Sequence, residues 1–279
     1  AGVRPFEVGY AGLKDRRGVT TQWFTVPARR GGVQDWAGRA GEGYEILEAH
    51  RHTRKLPRGA LAGNRFTLVL RGFTGSREAL ERRVAEIAVE GVPNYFGPQR
   101  FGRELGNLAV LRGEPVRGER GFAYSAARSL IFNAVLAERL AAGHWNRLLP
   151  GERANLEGSN STFRVEAIDE TLRQRLAALD IHPTGPLWGE GESGVTGEVA
   201  ELESSVASRY PALLELLRAD RLASARRPLR MVVRDLALRW LPEADACELQ
   251  FSLRGGSFAT TVVRELVHLD DATGAEEHA

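Results

Sequence analysis

Segments with strand character stand at both ends of this chain, and a run of helical patterns separates them. That order constrains the fold more than any single motif. A helix-rich block between β-containing segments reads as one domain inserted into the sheet of another, which makes the fold α+β. Near the start, residues 20–26 (TTQWFTV) are rich in β-branched and aromatic side chains and predict a strand, and 44–52 predicts a second. Residues 64–71 place Phe66, Leu68 and Leu70 on one side of a half-buried strand. A helix follows from Ser76, which can cap it, with Leu80, Val84, Ile87 and Ala88 as its apolar face and with Gly91 and Pro93 to end it.

The middle reads as helices over 125–142, 170–179, 197–208 and 211–219. Gly/Pro/Asn-rich stretches at 151–160 and 182–194 look like connectors between them. Strand character returns over 231–241 and 247–253. A last helix is expected over 257–267, with Ala259, Val262, Val263 and Leu266 apolar. No internal repeat is visible.

Composition narrows the class. Apolar residues make up 43% and charged residues 27%, ordinary globular values, and no run approaches the roughly eighteen apolar residues a membrane span needs. The chain opens without a basic stretch leading into an apolar one, so a secretory signal is not expected. A lone cysteine, Cys247, can neither close an internal disulfide nor help build a zinc cluster. A soluble cytoplasmic protein is expected. Net charge is only +2, but Lys14 and Lys55 are the sole lysines among 38 basic residues, and the rest are arginines. Coding bias explains most of that ratio, though not where the arginines gather. Arginine is the side chain whose planar fork grips phosphate and stacks on bases.

Four segments can carry chemistry. In AGLKDRRGVTTQ (11–22) a tight loop presents Asp15 among Lys14, Arg16 and Arg17, cations that would keep a nucleophilic or basic carboxylate ionised; a solvated charged turn has the same look. In 50–66, Arg51, Arg54, Lys55, Arg58 and Arg65 cluster with His50 and His52, either as a phosphate-binding patch or as an exposed hairpin. The histidines lack ligand partners for a metal. VPNYFGPQRFG (92–102) interleaves Asn94, Tyr95, Phe96 and Phe101 with Arg100 and the following Arg103, a mixture suited to stacked bases or to a plug at a domain junction. In RGGSFATTVVREL (254–266) two glycines precede a helix start that carries Phe258, open to a base or to the core.

Taken in order, AGLKDRRGVTTQW, HRHTRKLPRGALAGNRFTLVLR, GVPNYFGPQRFG, YSAARSLIFNAVLAERL, ARRPLR and GGSFATTVVREL resemble the TruD family of tRNA pseudouridine synthases along nearly the whole chain. The resemblance implies the mixed-sheet pseudouridine synthase catalytic domain in two parts, 1–89 and 233–279, split by a largely helical inserted TRUD domain at 90–232. The family's N-terminal segment, with a strand carrying a further active-site phenylalanine, has no counterpart before Ala1. The implied substrate is a uridine in the D-stem region of tRNA, position 13 in bacterial members. Asp15 falls on the family's nucleophilic aspartate and Asn64 on its uridine-binding asparagine. Phe258 falls on a uridine-contacting phenylalanine, and Phe66 on the stacking aromatic. Lys14 and Arg264 are candidates to pair with Asp15 or a phosphate. Isomerisation involves no redox step, so no cofactor and no metal are expected, and the partner is tRNA, with no membrane and no obligate protein partner. The competing reading is a catalytically inactive tRNA-binding or folding protein on the same scaffold. A metal-dependent nuclease would need clustered carboxylates; Glu201 and Glu203 look like an ordinary polar helix face.

Overall fold

The computed structural model of the chain describes residues 3–15, 18–28, 36, 40–114, 120–219, 221–242 and 245–269. It divides into two compact units, Ala1–Asn64 and Arg65–Ala279. In the first, β1 (Gly9–Tyr10) pairs antiparallel with β2 (Phe24–Thr25), and β3 (Ala40–Gly41) pairs with β4 (Tyr44–Glu45). The strands expected over 20–26 and 44–52 are therefore only two residues long. Trp23, Phe24, Tyr44 and Leu47 all remain exposed, and strand propensity without a covering face does not extend a ladder. Gly9 is required where residues 55–56 cross β1, because a Cβ there would meet the Leu56 carbonyl oxygen at 2.6 Å. The strand β5 (Gly63–Leu70) opens at the end of this unit and runs into the second.

The second unit runs α1 (Arg77–Glu90), β6 (Val92–Pro93), α2 (Arg120–Ala141), β7 (Arg153–Leu156), β8 (Thr162–Arg164), α3 (Glu170–Ala177), β9 (Ile181–Leu187), α4 (Gly197–Ser208), α5 (Pro211–Ala219), β10 (Ala225–Pro228), β11 (Arg230–Met231), β12 (Arg234–Trp240), β13 (Cys247–Arg254) and α6 (Ala259–Leu266). One sheet has the order β12-β13-β5. Its middle strand alternates cleanly, burying Cys247, Leu249, Phe251 and Leu253. Leu80, Val84 and Ile87 of α1 and Val262 of α6 close the core over it, each large side chain contributing about 1.5 to 3 kcal/mol by burial. The Ser76 hydroxyl accepts from the Ala79 N–H and caps α1 as expected. Ala88, expected on the apolar face, is exposed. At about 100° per residue it lies roughly 70° off the stripe set by its three buried neighbours. Gly91 ends the helix with φ 75°, and a Cβ there would meet the Met231 carbonyl oxygen at 2.6 Å.

The expected strand over 231–241 is two strands. The first piece, β11, pairs with β6, and β12 pairs with β13 through a bulge between Arg234 and Ala237. The chain changes sheets between them, which one run of apolar residues cannot reveal.

A larger correction concerns the middle of the chain. The stretches read as connectors, 151–160 and 182–194, supply β7 and β9 to a four-stranded sheet of order β10-β9-β7-β8. Residues Ile181–Pro186 of β9 are wholly buried, although Pro183 and Pro186 lack an N–H for the ladder. Side chains make up the deficit: the Thr184 hydroxyl donates to the Arg153 carbonyl at 2.6 Å, and Arg226 donates to the Thr184 carbonyl at 2.8 Å. Phe132, Leu136 and Ile131 of α2 pack with Leu213 and Leu217 of α5 in the main core of this region. Glu203 is not on a solvated face. It is buried against Arg226 at 2.6 Å, an ion pair that ties α4 to β10.

One polar link joins the two sheets. His182 on β9 is buried between Arg230, whose Nε donates to Nδ1 at 2.9 Å, and Glu157, 3.0 Å from Nε2. Since Nδ1 accepts, the ring proton sits on Nε2 and is donated to Glu157. Arg234 of β12 donates to the other Glu157 oxygen at 2.7 Å. The His182 hydrogen bond, helped by Arg234, holds the Glu157 carboxyl down at about 2 despite its partial burial. A folded value below the unfolded one means that its contribution is present above about pH 4.5 and is lost as pH falls toward about 2. The urea midpoint of Glu157→Gln is therefore expected to lie below that of the native chain at neutral pH, with the gap closing across that acid window. A gap constant with pH would remove this account.

Candidate active site

The first unit holds three of the six residues singled out in the sequence. Its loop 11–15 is anchored at one end by the Gly59 N–H, which donates to the Ala11 carbonyl at 3.0 Å. Lys14 is half-buried and its ammonium donates to Asn64 Oδ1, joining the first motif to the GNRF segment. The sequence offered Asp15 or a phosphate as the partner of Lys14; the structure gives it Asn64. Asp15, one residue on, is exposed. Arg16 and Arg17 lie outside the described residues. The Lys14 bond also fixes the Asn64 amide. With Oδ1 facing an ammonium, which can only donate, the two N–H donors of Asn64 are turned away from it.

The basic segment 50–66 divides in the structure. Lys55 donates to the Phe6 carbonyl at 2.6 Å, and Arg58 donates to the Tyr10 hydroxyl at 2.8 Å while lying over the Tyr10 ring. These two fasten the unit together. Arg51 and Arg54 are exposed. His50 sits 3.0 Å from Glu48 with its ring centre 5.9 Å from that of Trp23, and His52 Nδ1 accepts from the Arg54 N–H at 3.1 Å within a local turn.

The second unit holds the other three. Phe66 is half-buried on β5, its ring centre 5.5 Å from that of buried Phe251. The alternation of β5 puts Phe66 on the same face as Asn64. Phe258 is half-buried at the N-cap of α6 with extended backbone angles, following Gly256 in the left-handed region at φ 84°. Arg264 is exposed in the last turn of α6 and lines a cavity of about 450 Å³ with Tyr95, Phe101, Leu105 and Thr260. Sequence reasoning places Tyr95 and Phe101 in a motif but does not connect that motif to α6. Burial raises the Tyr95 hydroxyl above its ordinary value, and Glu265 adds to the shift. Leu105 is exposed with φ 59°, a strained backbone for a leucine at the edge of an apolar cavity.

A family model described as tRNA pseudouridine synthase D (TruD) matches residues 1–117 and 122–266. The chain belongs to the TruD family. A relative from Nitrosococcus oceani, named tRNA pseudouridine synthase D, is 47% identical over 98% of this chain and 79% of its own. Another of that name, from Methylococcus capsulatus, is 46% identical over 97% of this chain and 78% of its own. A crystal structure described as tRNA pseudouridine synthase D (TruD) from Methanosarcina mazei superposes with a TM-score of 0.68. It covers 96% of this chain and 82% of its own at 21% identity, and shows the fold. The resemblance read from six ordered motifs and the α+β class are both borne out. The TruD match includes the loop carrying Asp15, the GNRF strand and the whole of α6.

Proposed function

We propose that this chain isomerises uridine to pseudouridine in tRNA, with Asp15 as the carboxylate that acts on the ribose. The observation that carries the reading is the hydrogen bond from Lys14 to Asn64, which seats a carboxylate-bearing loop against an amide suited to uracil. The reaction breaks the bond from C1′ to N1, turns the base and joins C1′ to C5. The C5 proton leaves and N1 gains one, so atoms and charge balance without an electron acceptor. Asp15 either attacks C1′ or removes a C2′ proton; both need the ionised carboxylate. Asn64 presents its amide N–H groups to a uracil carbonyl. Phe66, backed by Phe251, offers a flat apolar face to a base that has left its stack. Phe258 contacts the same uridine, and Arg264 holds a phosphate.

In this reading residues 1–89 and 233–279 form the catalytic domain and 90–232 the inserted TRUD domain. Position 13 of a cytoplasmic tRNA is the expected target. Tritium release tests the function directly: tRNA labelled at uridine C5 is incubated with the chain, and one equivalent of label per modified site is expected in the solvent. Retention of tRNA with no release at any enzyme concentration would establish the inactive binding protein instead.

A further inference from the structure

We infer that Arg100 and Arg227, which share the Phe96 ring, form an anion site that takes backbone phosphates of the RNA, a contact separate from those proposed for the reacting nucleotide. The inference rests on tRNA being the substrate. It begins from two buried arginines that a carboxylate answers directly; a third, Arg230, bonds His182 and the Leu176 and Ile181 carbonyls, with the Glu157 charge on the far side of His182. Arg139 is buried against Glu152 at 3.2 Å, and Arg226 against Glu203 at 2.6 Å. A desolvated guanidinium is costly unless a carboxylate answers it.

Arg227, next to Arg226 on β10, has no such answer among the described residues. Its Nη2 donates to Asn94 Oδ1 at 2.6 Å, and its guanidinium carbon lies 4.1 Å from the centre of the Phe96 ring. Arg100 approaches the same ring to 5.1 Å and donates to the Ser125 hydroxyl at 2.9 Å. Arg128, one turn beyond Ser125 on α2, donates to the carbonyls of Leu187 and Ala223 at 2.8 Å each. Every one of these partners is neutral. Among the described residues, the buried side-chain polar atoms without any hydrogen-bond partner are the Nε atoms of these same three arginines. Burial pulls Arg227 down to about 10, with the charge of Arg100 adding to the shift, and burial also lowers Arg128.

Two motifs that the proposed chemistry leaves unused, VPNYFGPQRFG and ARRPLR, thus meet at one patch of surplus positive charge. Phe96 is itself only 7% exposed, so it acts as the plug and platform rather than as a stacking surface for a base. The arginines are half-buried: their Nε atoms are sealed, and the terminal guanidinium nitrogens are the atoms left to meet a ligand. Stacking holds the Arg227 and Arg100 forks in place before anything binds, the preorganisation that favours bidentate phosphate contacts.

The test is the salt dependence of tRNA binding, read by filter retention for the native chain, Arg100→Gln/Arg227→Gln and Arg100→Lys/Arg227→Lys. Taking away one neutralised phosphate lowers the slope of log K against log salt by roughly 0.7 to 0.9. The glutamine pair is expected to lower it by about 1.5, and the lysine pair, which keeps both charges, to restore most of that. Thermal unfolding of each variant checks that it is folded. An unchanged slope in the folded glutamine pair, or lysine and glutamine pairs that behave alike, would overturn the site in favour of plain packing. Tritium release by the native chain is followed in parallel. Release with an unchanged slope removes only the anion site; a lowered slope without release by the native chain removes only the isomerase.

Discussion

Asp15→Asn is expected to abolish tritium release, lowering it on the order of 10⁴-fold or more, while tRNA retention stays within about twofold. The substitution keeps size and shape and removes only the negative charge, which is the property that both routes to the broken glycosidic bond require. Asp15 is exposed, so little of the fold leans on it and the melting temperature is expected to hold. The neighbouring ammonium is engaged by Asn64 rather than left to compensate. Lys14→Met is expected to act differently. It frees the Asn64 amide to rotate, so it should weaken binding of the target uridine and leave a measurable rate at saturating tRNA. Turnover by Asp15→Asn at the native rate would sink the assignment, and with it the roles given to the residues around it.

Sequence and structure agree best where a pattern is local. The helices α4 and α5 have the bounds that periodicity sets, and Ser76 and Gly91 do at the ends of α1 what their chemistry predicts. The strand β5 is legible because one of its faces is covered and its alternation shows. Alternation vanishes in β9, where both faces are buried and two prolines and a glycine sit among the ladder residues. What makes that strand possible, the Thr184 hydroxyl and the Arg226 guanidinium, comes from side chains whose long-range partners no window of sequence displays. Glu203 escapes a local reading for the same reason, since its counter-ion stands 23 residues on in a strand that periodicity does not foresee.

The site divides along similar lines. Asp15 and Asn64 are legible because the loop and the GNRF strand are short, contiguous motifs. Their connection through Lys14 spans 50 residues and needs coordinates. The arginine patch is legible only in part: the mixture of aromatics and arginines at 92–102 suggests either RNA contact or a junction plug, and the structure buries Phe96 while leaving Arg100 half-buried. Phe96 is the plug. Arg100 meets Arg227 across it from a strand that no local pattern announces.

The region around the four-stranded sheet β10-β9-β7-β8 should be most sensitive at Glu152. Its side chain is fully buried and accepts from both terminal nitrogens of Arg139, at 3.2 and 3.3 Å, as well as from the backbone N–H groups of Leu149 and Thr184. Burial pushes its carboxyl above the ordinary range, and Arg139 acts against that shift. Glu152→Ala strands the Arg139 cation inside the core and removes an acceptor from two N–H groups, so it is expected to cost about 3 to 5 kcal/mol. In a chain of this size that corresponds to a fall in melting temperature of roughly 5 to 10 °C. Arg139→Met alone should cost less, because the remaining carboxyl can take up a proton. The double variant Arg139→Met/Glu152→Leu should recover part of the loss, since no charge is left buried, but not all of it, since the Leu149 and Thr184 N–H groups remain without their acceptor. A double variant as unstable as the summed single ones would mean that the pair's worth lies in packing rather than in charge.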